Sequence, residues 1–596
     1  MLLKERKSTL GYILKIPIKY STYSAIMIAI LKIIGGIIPT LNMFAIAKFI
    51  NSAITLFKYH SGYSDIIIAI TLIMICTAYE WIYDYLVTYD ETRLENNLRV
   101  SFKVYIINKV TSLKYSNIEN QNTCDLISRV CKEPEKQCKD AYSQFFDILS
   151  LLITICGVVG VLAMNVFWSA LLIVAISIPL LKLAINGGKA SYQANRQVRR
   201  YIREVDYLSE VLNGRDAVDE RMLFCYSNKI NEKWHRQFEK TRKLLFKVNL
   251  KWFIKAKSGG IITAFISLTT ILILLFSVRS GQLSIGLFIS IVNSETLLIQ
   301  NLSWQLPSYV NSLAKNKEYI VDLIQILNLP GKKEYLDEPI SPNVVVNSLE
   351  FKDVSFKYPG TEKYVLKNMS FKIEKGKHYA LVGTNGSGKT TITKLITGLY
   401  EDFEGEILIN GKSIRQYSQC EIKSMFSIVY QDFARYFISV KDNIYLGCVN
   451  KYQNKDIESF LDILSLKDTI EKLPNGLNSN LGKIQKDGVD LSGGEWQKVA
   501  MARAMMSSSE LRILDEPTAA LDPISENDMY QRFSSMSKGS TTIFISHRLG
   551  STKIADNIFV IDQGKIAEQG SFDELIENNG LFAKMFESQK SWYFKS

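Results

Sequence analysis

Hydrophobic residues are spread along this chain in two unlike ways. Up to about Leu313 they form long, nearly unbroken runs, and from Leu349 onward they form short runs that alternate with charged stretches. Six of the long runs, near Thr22–Ile50, Ile66–Val87, Phe145–Met164, Val166–Ile185, Gly259–Val278 and Ile285–Leu306, reach the about 20 residues a helix needs to cross about 30 Å of hydrocarbon. The third and fourth are separated by little more than Asn165, and the fifth and sixth by Arg279-Ser280-Gly281-Gln282, so each pair turns at a membrane surface. Long, polar, helical-looking segments follow the second and fourth runs instead. Both are basic, with Arg93, Arg99, Lys103, Lys109 and Lys114 in one and Arg196, Arg199, Arg200, Arg203, Lys240, Arg242, Lys243 and Lys247 in the other. This charge bias places both segments in the cytoplasm with Lys4, Arg6 and Lys7, and an even number of crossings leaves both termini there.

In the second half, Lys377–Val382 reads as a strand and Thr390–Leu399 as a helix, with Gly383-Thr384-Asn385-Gly386-Ser387-Gly388-Lys389-Thr390-Thr391 between them. Gly383, Gly388, Lys389 and Thr390 satisfy the pattern G-x-x-x-x-G-K-[ST] in the strand–loop–helix context that gives it meaning. The glycines let backbone N–H groups converge on phosphate oxygens, and the helix start adds its positive dipole end. Lys389 neutralises the outer phosphates and the Thr390 hydroxyl reaches Mg2+. ATP or GTP is the implied ligand.

A chain of 596 residues is too long for one core. The expected division is a membrane domain over 1–326, a linker over 327–347 containing Pro330-Gly331-Lys332-Lys333, and a nucleotide-binding domain over 348–596. The mean hydropathy of +0.04 averages these unlike halves. Much of the excess behind the net charge of +12 flanks the apolar runs, where it sets topology, so no nucleic-acid partner is expected. The eight cysteines contain no C-x-x-C pair and no neighbouring histidine cluster, which argues against a zinc or disulfide framework. Cys124, Cys131 and Cys138 recur every seven residues and would share one helix face as a packing seam. Met1–Tyr20 lacks the apolar core and small-residue end of a cleavable signal.

Polar groups interrupt the spans: Lys32, Glu80, Asp84, Asp147, and in the sixth Asn293, Glu295, Gln300 and Asn301. Such groups are costly at membrane depth and should face a wet cavity or a partner. For Lys32, Asp84 and Asp147 a place at headgroup level is equally open. Glu295 sits deeper, and with Glu80, Asn293 and Gln300 it forms the candidate substrate path. Pro39 and Pro179 read as kinks.

Further motifs follow the phosphate loop in a fixed order, and together they resemble an ATP-binding cassette (ABC) ATPase over about the last two-fifths of the chain. Leu491-Ser492-Gly493-Gly494-Glu495 resembles the family's signature, in which Ser492, Gly493 and Gly494 at a helix start complete the nucleotide site of the opposite subunit. Leu511-Arg512-Ile513-Leu514-Asp515-Glu516 resembles the Walker B strand. The resemblance implies that Asp515 holds Mg2+ through water and that Glu516 polarises the attacking water. Arg512 departs from an all-apolar strand, which a partly exposed side chain accommodates. Ala519-Ala520-Leu521-Asp522 resembles the D-loop, His547 the switch histidine on the γ-phosphate, and Gln431 the Q-loop residue that senses Mg2+ and γ-phosphate. Tyr358 resembles the aromatic that stacks on adenine, with Tyr379 the weaker alternative. The resemblance thus gives Lys389, Gln431, Glu516 and His547 as catalytic groups and Thr390, Gln431 and Asp515 as metal-binding groups. The nucleotide-binding set is Tyr358, Gly383, Asn385, Gly386, Ser387, Gly388, Lys389, Thr390, Thr391, Ser492, Gly493, Gly494 and Asp522.

Six spans fused ahead of one cassette resemble an exporter half-transporter. This implies an α-helical six-span transmembrane domain with long cytoplasmic helical extensions, followed by an α/β P-loop ABC nucleotide-binding domain. Ser116–Asn120 and Asp219–Phe224 resemble the two coupling elements, and Leu10–Tyr20 the elbow helix on the membrane surface. The segment Gly482–Asp490, followed by Gly-Gly-Glu-Trp-Gln, lacks the Glu-Arg loop of many exporters and is similar to exporters of peptide antibiotics. No Cys/His pair of a peptidase precedes the first span, so leader cleavage is not expected of this chain. The implied activity is ATP-driven efflux of a peptide or amphipathic compound across the cytoplasmic membrane, by alternating access in a dimer using ATP and Mg2+. The partner is a second copy, with a heterodimer open. Lipid flipping, or a regulator or ATP-gated channel on the same fold, are the alternatives.

Overall fold

The computed structural model describes residues 2–59, 63–165, 167–214, 217–301, 305–331, 344–448, 457–507, 509, 511–517, 540–546 and 548–593. They divide into two compact units: one is Met1–Val110 with Asp125–Asn328, the other Thr111–Cys124 with Leu329–Ser596.

The first unit is helical. It holds α1 (Leu2–Tyr20), α2 (Thr22–Tyr59) and most of α3 (Ser64–Thr111). A short helix, α4 (Tyr115–Glu119), belongs to the other unit. The helical unit resumes within α5 (Gln121–Cys131) and continues through α6 (Pro134–Asn165), α7 (Phe167–Asn213), α8 (Val218–Phe224), α9 (Ser227–Arg279), α10 (Ile285–Gln300) and α11 (Leu306–Asn328). Among the described residues, Thr22–Lys58, Ser64–Thr111 and Pro134–Met164 are long and apolar enough to cross a membrane, and Leu268–Arg279 and Ile285–Leu297 are shorter apolar helices. The apolar run of α3 passes without a stop into its basic segment, giving 48 residues, or about 72 Å of rod. In the sixth run α10 ends at Gln300, and a further helix, α11, starts at Leu306 with Pro307 in its first turn, a position where the missing N–H costs nothing.

Two apolar clusters hold this unit. One joins Ile13, Ile16, Ile28, Leu94, Phe102, Leu126, Tyr142 and Ile320, and the other joins Met43, Leu151, Val158, Leu274, Ile291 and Leu306. The amphipathic stretch Leu10–Tyr20 therefore seats Ile13 and Ile16 on the bundle. Lys32 is buried: its Nζ lies 2.6 Å from Asp147 Oδ1 and 3.3 Å from Glu91 Oε1, and it also donates to Ser143. Lys32 and Asp147 thus satisfy each other across α2 and α6, the arrangement a charge needs away from water. The cysteine seam does not form. Cys124 and Cys131 lie on α5 and Cys138 on α6, and they run from exposed through half-buried to buried, because the chain breaks before Pro134.

The second unit carries two sheets. A four-stranded antiparallel sheet has the order β2-β1-β4-β5, built from β1 (Ser348–Phe356), β2 (Leu366–Glu374), β4 (Glu404–Ile409) and β5 (Lys412–Ser413). A six-stranded sheet has the order β10-β9-β3-β8-β7-β6, built from β3 (His378–Gly383), β6 (Phe426–Val429), β7 (Leu511–Asp515), β8 (Thr541–Ile545), β9 (Asn557–Asp562) and β10 (Lys565–Gly570). All neighbours in it pair in parallel except β10 on β9. Helix α12 (Lys389–Ile396) packs Ile392, Leu395 and Ile396 between the sheets. Ile422 and Met425 of α13 (Gln419–Met425) join the same cluster, and a second core lies among α14 (Val440–Tyr445), α15 (Ile457–Ile463), α16 (Lys467–Glu471) and α17 (Gly493–Met506), where Trp496, Val499 and Met506 are fully buried. β3, flanked by β8 and β9, delivers the phosphate loop at the carboxyl ends of the central parallel strands, where ligands of open α/β sheets bind.

Candidate functional site

The phosphate loop turns because its glycines take backbone angles closed to other residues. Gly383, Gly386 and Gly388 have φ of +154°, +77° and +109°. A Cβ on Gly383 would collide with the Ile561 carbonyl oxygen, and one on Gly388 would come within 2.6 Å of Leu366 Cδ2. Gly383→Ala is therefore expected to abolish nucleotide binding or folding of the cassette. Titration of a fluorescent ATP analogue into purified protein checks this, and near-normal affinity would contradict it.

Lys389 is buried, and its Nζ folds back to donate to the carbonyls of Gly383 (2.9 Å) and Thr384 (3.1 Å) across the mouth of the loop. Burial pushes the Lys389 ammonium down from its ordinary value, opposed by Glu516 and Asp515. The hydroxyl of Ser387 is buried with no hydrogen-bond partner among the described residues. A bound phosphate chain would give the Ser387 hydroxyl a partner and Lys389 an anionic one in place of its loop carbonyls.

Asp515 ends β7 at 1% exposure, and among the described residues neither carboxylate oxygen has a hydrogen bond of ordinary geometry. Burial pushes its carboxyl up to about 6 and Glu516 adds to this, while Thr390 and Lys389 oppose it. A buried carboxylate beside the Thr390 hydroxyl, with coordinating capacity left on its oxygens, fits a divalent cation such as Mg2+. The carboxyl is neutral below the folded value, so metal affinity rises with pH through about 6, while in this group's window, from 3.8 to about 6, the nucleotide-free fold loses stability as pH rises. Mg2+-dependent nucleotide affinity should fall about tenfold per unit below that point. Isothermal titration at pH 5 and pH 7 reads it directly, and equal affinities would contradict it.

Glu516 follows in the left-handed region at φ +49°, a strained placement for a non-glycine residue. Its N–H donates to Ile545 O at 2.9 Å, and Gln431 Nε2 donates to its Oε2 at 3.1 Å. Gln497, which sequence reasoning missed, donates from Nε2 to the Glu516 backbone carbonyl at 3.1 Å. Its only signal is a place one turn into α17. Arg512 is half-buried on its strand.

Tyr358 is half-buried beside the loop. Its Oη lies 2.9 Å from Thr391 Oγ1, and its ring meets Phe356 and Tyr400 edge-on. Tyr379 is buried in the core and accepts the Glu374 N–H, which leaves Tyr358 as the aromatic that can receive a base. Thr384, Asn385 and Gly386 form the exposed tip of the loop. Ser492 caps α17, accepting the Glu495 N–H while Glu495 Oε2 accepts from the Ser492 N–H at 2.8 Å, and Gly493 and Gly494 open that helix. His547 and Asp522 lie outside the described residues. In the membrane unit Glu295 is 1% exposed, whereas Glu80 and Asn293 are exposed, and the Gln300 side chain lies outside the described residues.

A family described as ABC transporter matches residues 366–519, and the ABC transporter transmembrane region matches 25–302. The chain is 30% identical to the subtilin transport ATP-binding protein SpaT of Bacillus subtilis, over 94% of this chain and 90% of that one. It is 34% identical to an ATP-dependent lipid A-core flippase of Haemophilus influenzae (strain 86-028NP), over 53% of this chain and 52% of that one. It superimposes on a bacterial Atm1-family ABC exporter with ATP bound at a TM-score of 0.76, covering 96% of this chain and 98% of that chain at 21% identity, which shows a shared fold. The chain belongs to the ABC transporter family, as a membrane protein whose helical transmembrane domain precedes a cassette that binds and hydrolyses ATP.

Proposed function

We propose that this chain is half of an ATP-driven exporter in which two copies act together, in the cytoplasmic membrane, on a peptide or peptide-like amphipathic substrate. The observation that carries the peptide reading is similarity to the subtilin transporter along the whole length, membrane half included, because substrate contacts are made there. The six spans with cytoplasmic termini belong to the same reading, supported by the basic segments of α3, α7 and α9.

Within each cassette, Lys389 leaves its loop carbonyls and neutralises the outer phosphates. Glu516, held by Gln431 and Gln497, orients the attacking water and takes up its proton. Asp515 and Thr390 would hold Mg2+, which when bound neutralises charge on the transferred phosphoryl group. His547 and Asp522 complete the set in this reading. Ser492, Gly493 and Gly494 present a capped helix start that supports a role in the opposite copy's site. Helix α8 carries Met222, Leu223 and Phe224 at 75%, 74% and 67% exposure, an apolar tip suited to burial against a partner.

Purified protein in proteoliposomes tests the reading. Cationic amphipathic peptides should stimulate ATP hydrolysis and accumulate in the lumen of inside-out vesicles only with hydrolysable ATP. Stimulation by lipid alone, with translocation of labelled lipid, favours a flippase, and ATP-dependent dissipation of a gradient favours a channel. Glu295→Gln is expected to change peptide accumulation about tenfold with basal hydrolysis nearly intact, since Glu295 lies in the membrane unit. Unchanged accumulation removes it from the substrate path.

A further inference from the structure

Segment 111–124 clusters with the cassette rather than with the helices that flank it in sequence. Several contacts pin it there: Leu113 bridges Gly331, Lys114 Nζ lies 3.4 Å from Glu401 Oε2, and Asn117 Nδ2 donates to Pro330 O at 3.2 Å. These grip the backbone and edges of α4. The contact that reaches the nucleotide site is different. Lys394 of α12 donates from Nζ to Glu119 Oε1 at 2.9 Å, and the same nitrogen sits 5.4 Å from the ring centre of Tyr115 and 5.5 Å from that of Tyr358. Tyr400 closes the cluster, edge-on to Tyr115 at 5.4 Å and to Tyr358 at 5.6 Å.

Tyr358 also meets Thr391 on the same helix. Positions 391 and 394 are three apart and share a face of α12, so Tyr358 rests on both. Thr391 closes the phosphate loop. A base stacking on Tyr358, or a phosphate competing for the Thr391 hydroxyl, therefore disturbs the ring that Lys394 covers. Lys394 has its other attachment on α4. Its side chain is 17% exposed and that of Glu119 41%, so solvent reaches the pair from the Glu119 side and screens it in part.

We infer that Lys394 is a positioning residue that ties occupancy of the nucleotide site at Tyr358 to the placement of α4 through Glu119. Lys394 touches no reacting atom in this account. It transmits a displacement between two elements that are 275 residues apart in sequence. By linkage the coupling runs both ways, so a shift of α4 alters nucleotide affinity by the same factor. The inference rests on Tyr358 receiving the base.

Cys124 provides the readout, because it is exposed and follows α4 by five residues. In proteoliposomes holding the full-length protein, its rate of modification by a soluble maleimide is measured by peptide mass spectrometry with and without Mg·AMP-PNP. The wild-type rate should change about fivefold. The change should vanish in Lys394→Ala and in Glu119→Gln, persist in Lys394→Arg, and be no smaller in the double variant than in either single one. Glu119→Gln should keep KM for ATP within about twofold. An undiminished response in Glu119→Gln, additive losses, or no response in the wild type overturns the inference. Unchanged nucleotide affinity in Tyr358→Ala instead overturns the adenine reading itself, so the two failures are distinguishable.

Discussion

The Glu516→Gln protein should bind Mg·ATP with wild-type affinity or better, turn it over at least about a hundredfold more slowly, and accumulate as an ATP-bound dimer; a loss of that size is about 2.7 kcal/mol of barrier. Glu516 carries the carboxylate that Gln431 holds at 3.1 Å, and its backbone is fixed by Ile545 and Gln497. Glutamine keeps the volume and the hydrogen-bonding length and removes only the ability to take a proton from water. Binding, which rests on the phosphate loop, is spared. Single-turnover hydrolysis and size-exclusion chromatography with ATP check both halves of the expectation. Robust turnover would move the catalytic role to another carboxylate, and Asp515 is the nearest in sequence.

Lys389→Ala should have the opposite signature, with nucleotide affinity itself collapsing by about a hundredfold or more and turnover becoming undetectable. The Nζ of Lys389 is buried and, among the described residues, donates to two loop carbonyls. Truncation leaves the polyanion without the cation the loop was built around, and leaves the Gly383 and Thr384 carbonyls without their donor. Lys389→Arg should not rescue, because a planar guanidinium cannot enter a loop shaped for a point charge. Equilibrium binding of a fluorescent ATP analogue separates the two variants: the first binds and stalls, the second does not bind.

Much of this was legible in the residues for a physical reason. A phosphate loop needs positive φ at fixed places, a strand before it and a helix after it, and Gly383, Gly386, Gly388 and Lys389 satisfy those local demands. The helical character of the first half and the α/β character of the second were readable from the length and period of their apolar runs. Local pattern could not show where distant segments meet. Lys32 and Asp147 are 115 residues apart, and nothing in either run marks the other as its counterion. The seven-residue spacing of Cys124, Cys131 and Cys138 suggested one face, but spacing has meaning only within one helix, and α5 ends at Cys131. Helix α4 lies in sequence among membrane helices, yet its partners Glu401, Tyr400 and Lys394 lie in the cassette.

Nucleotide is expected to join the phosphate loop of one copy to the Ser492-Gly493-Gly494 helix start of another. Asn385 is exposed at the loop tip, and a side chain added at Gly493 meets nothing within 4 Å, so both sites accept a cysteine. Two populations of Glu516→Gln protein, one carrying Asn385→Cys and the other Gly493→Cys, are co-reconstituted and oxidised. The account predicts a covalent dimer that forms with Mg·ATP and is absent without nucleotide. A yield independent of nucleotide, or no cross-link while ATP is demonstrably bound, would contradict it.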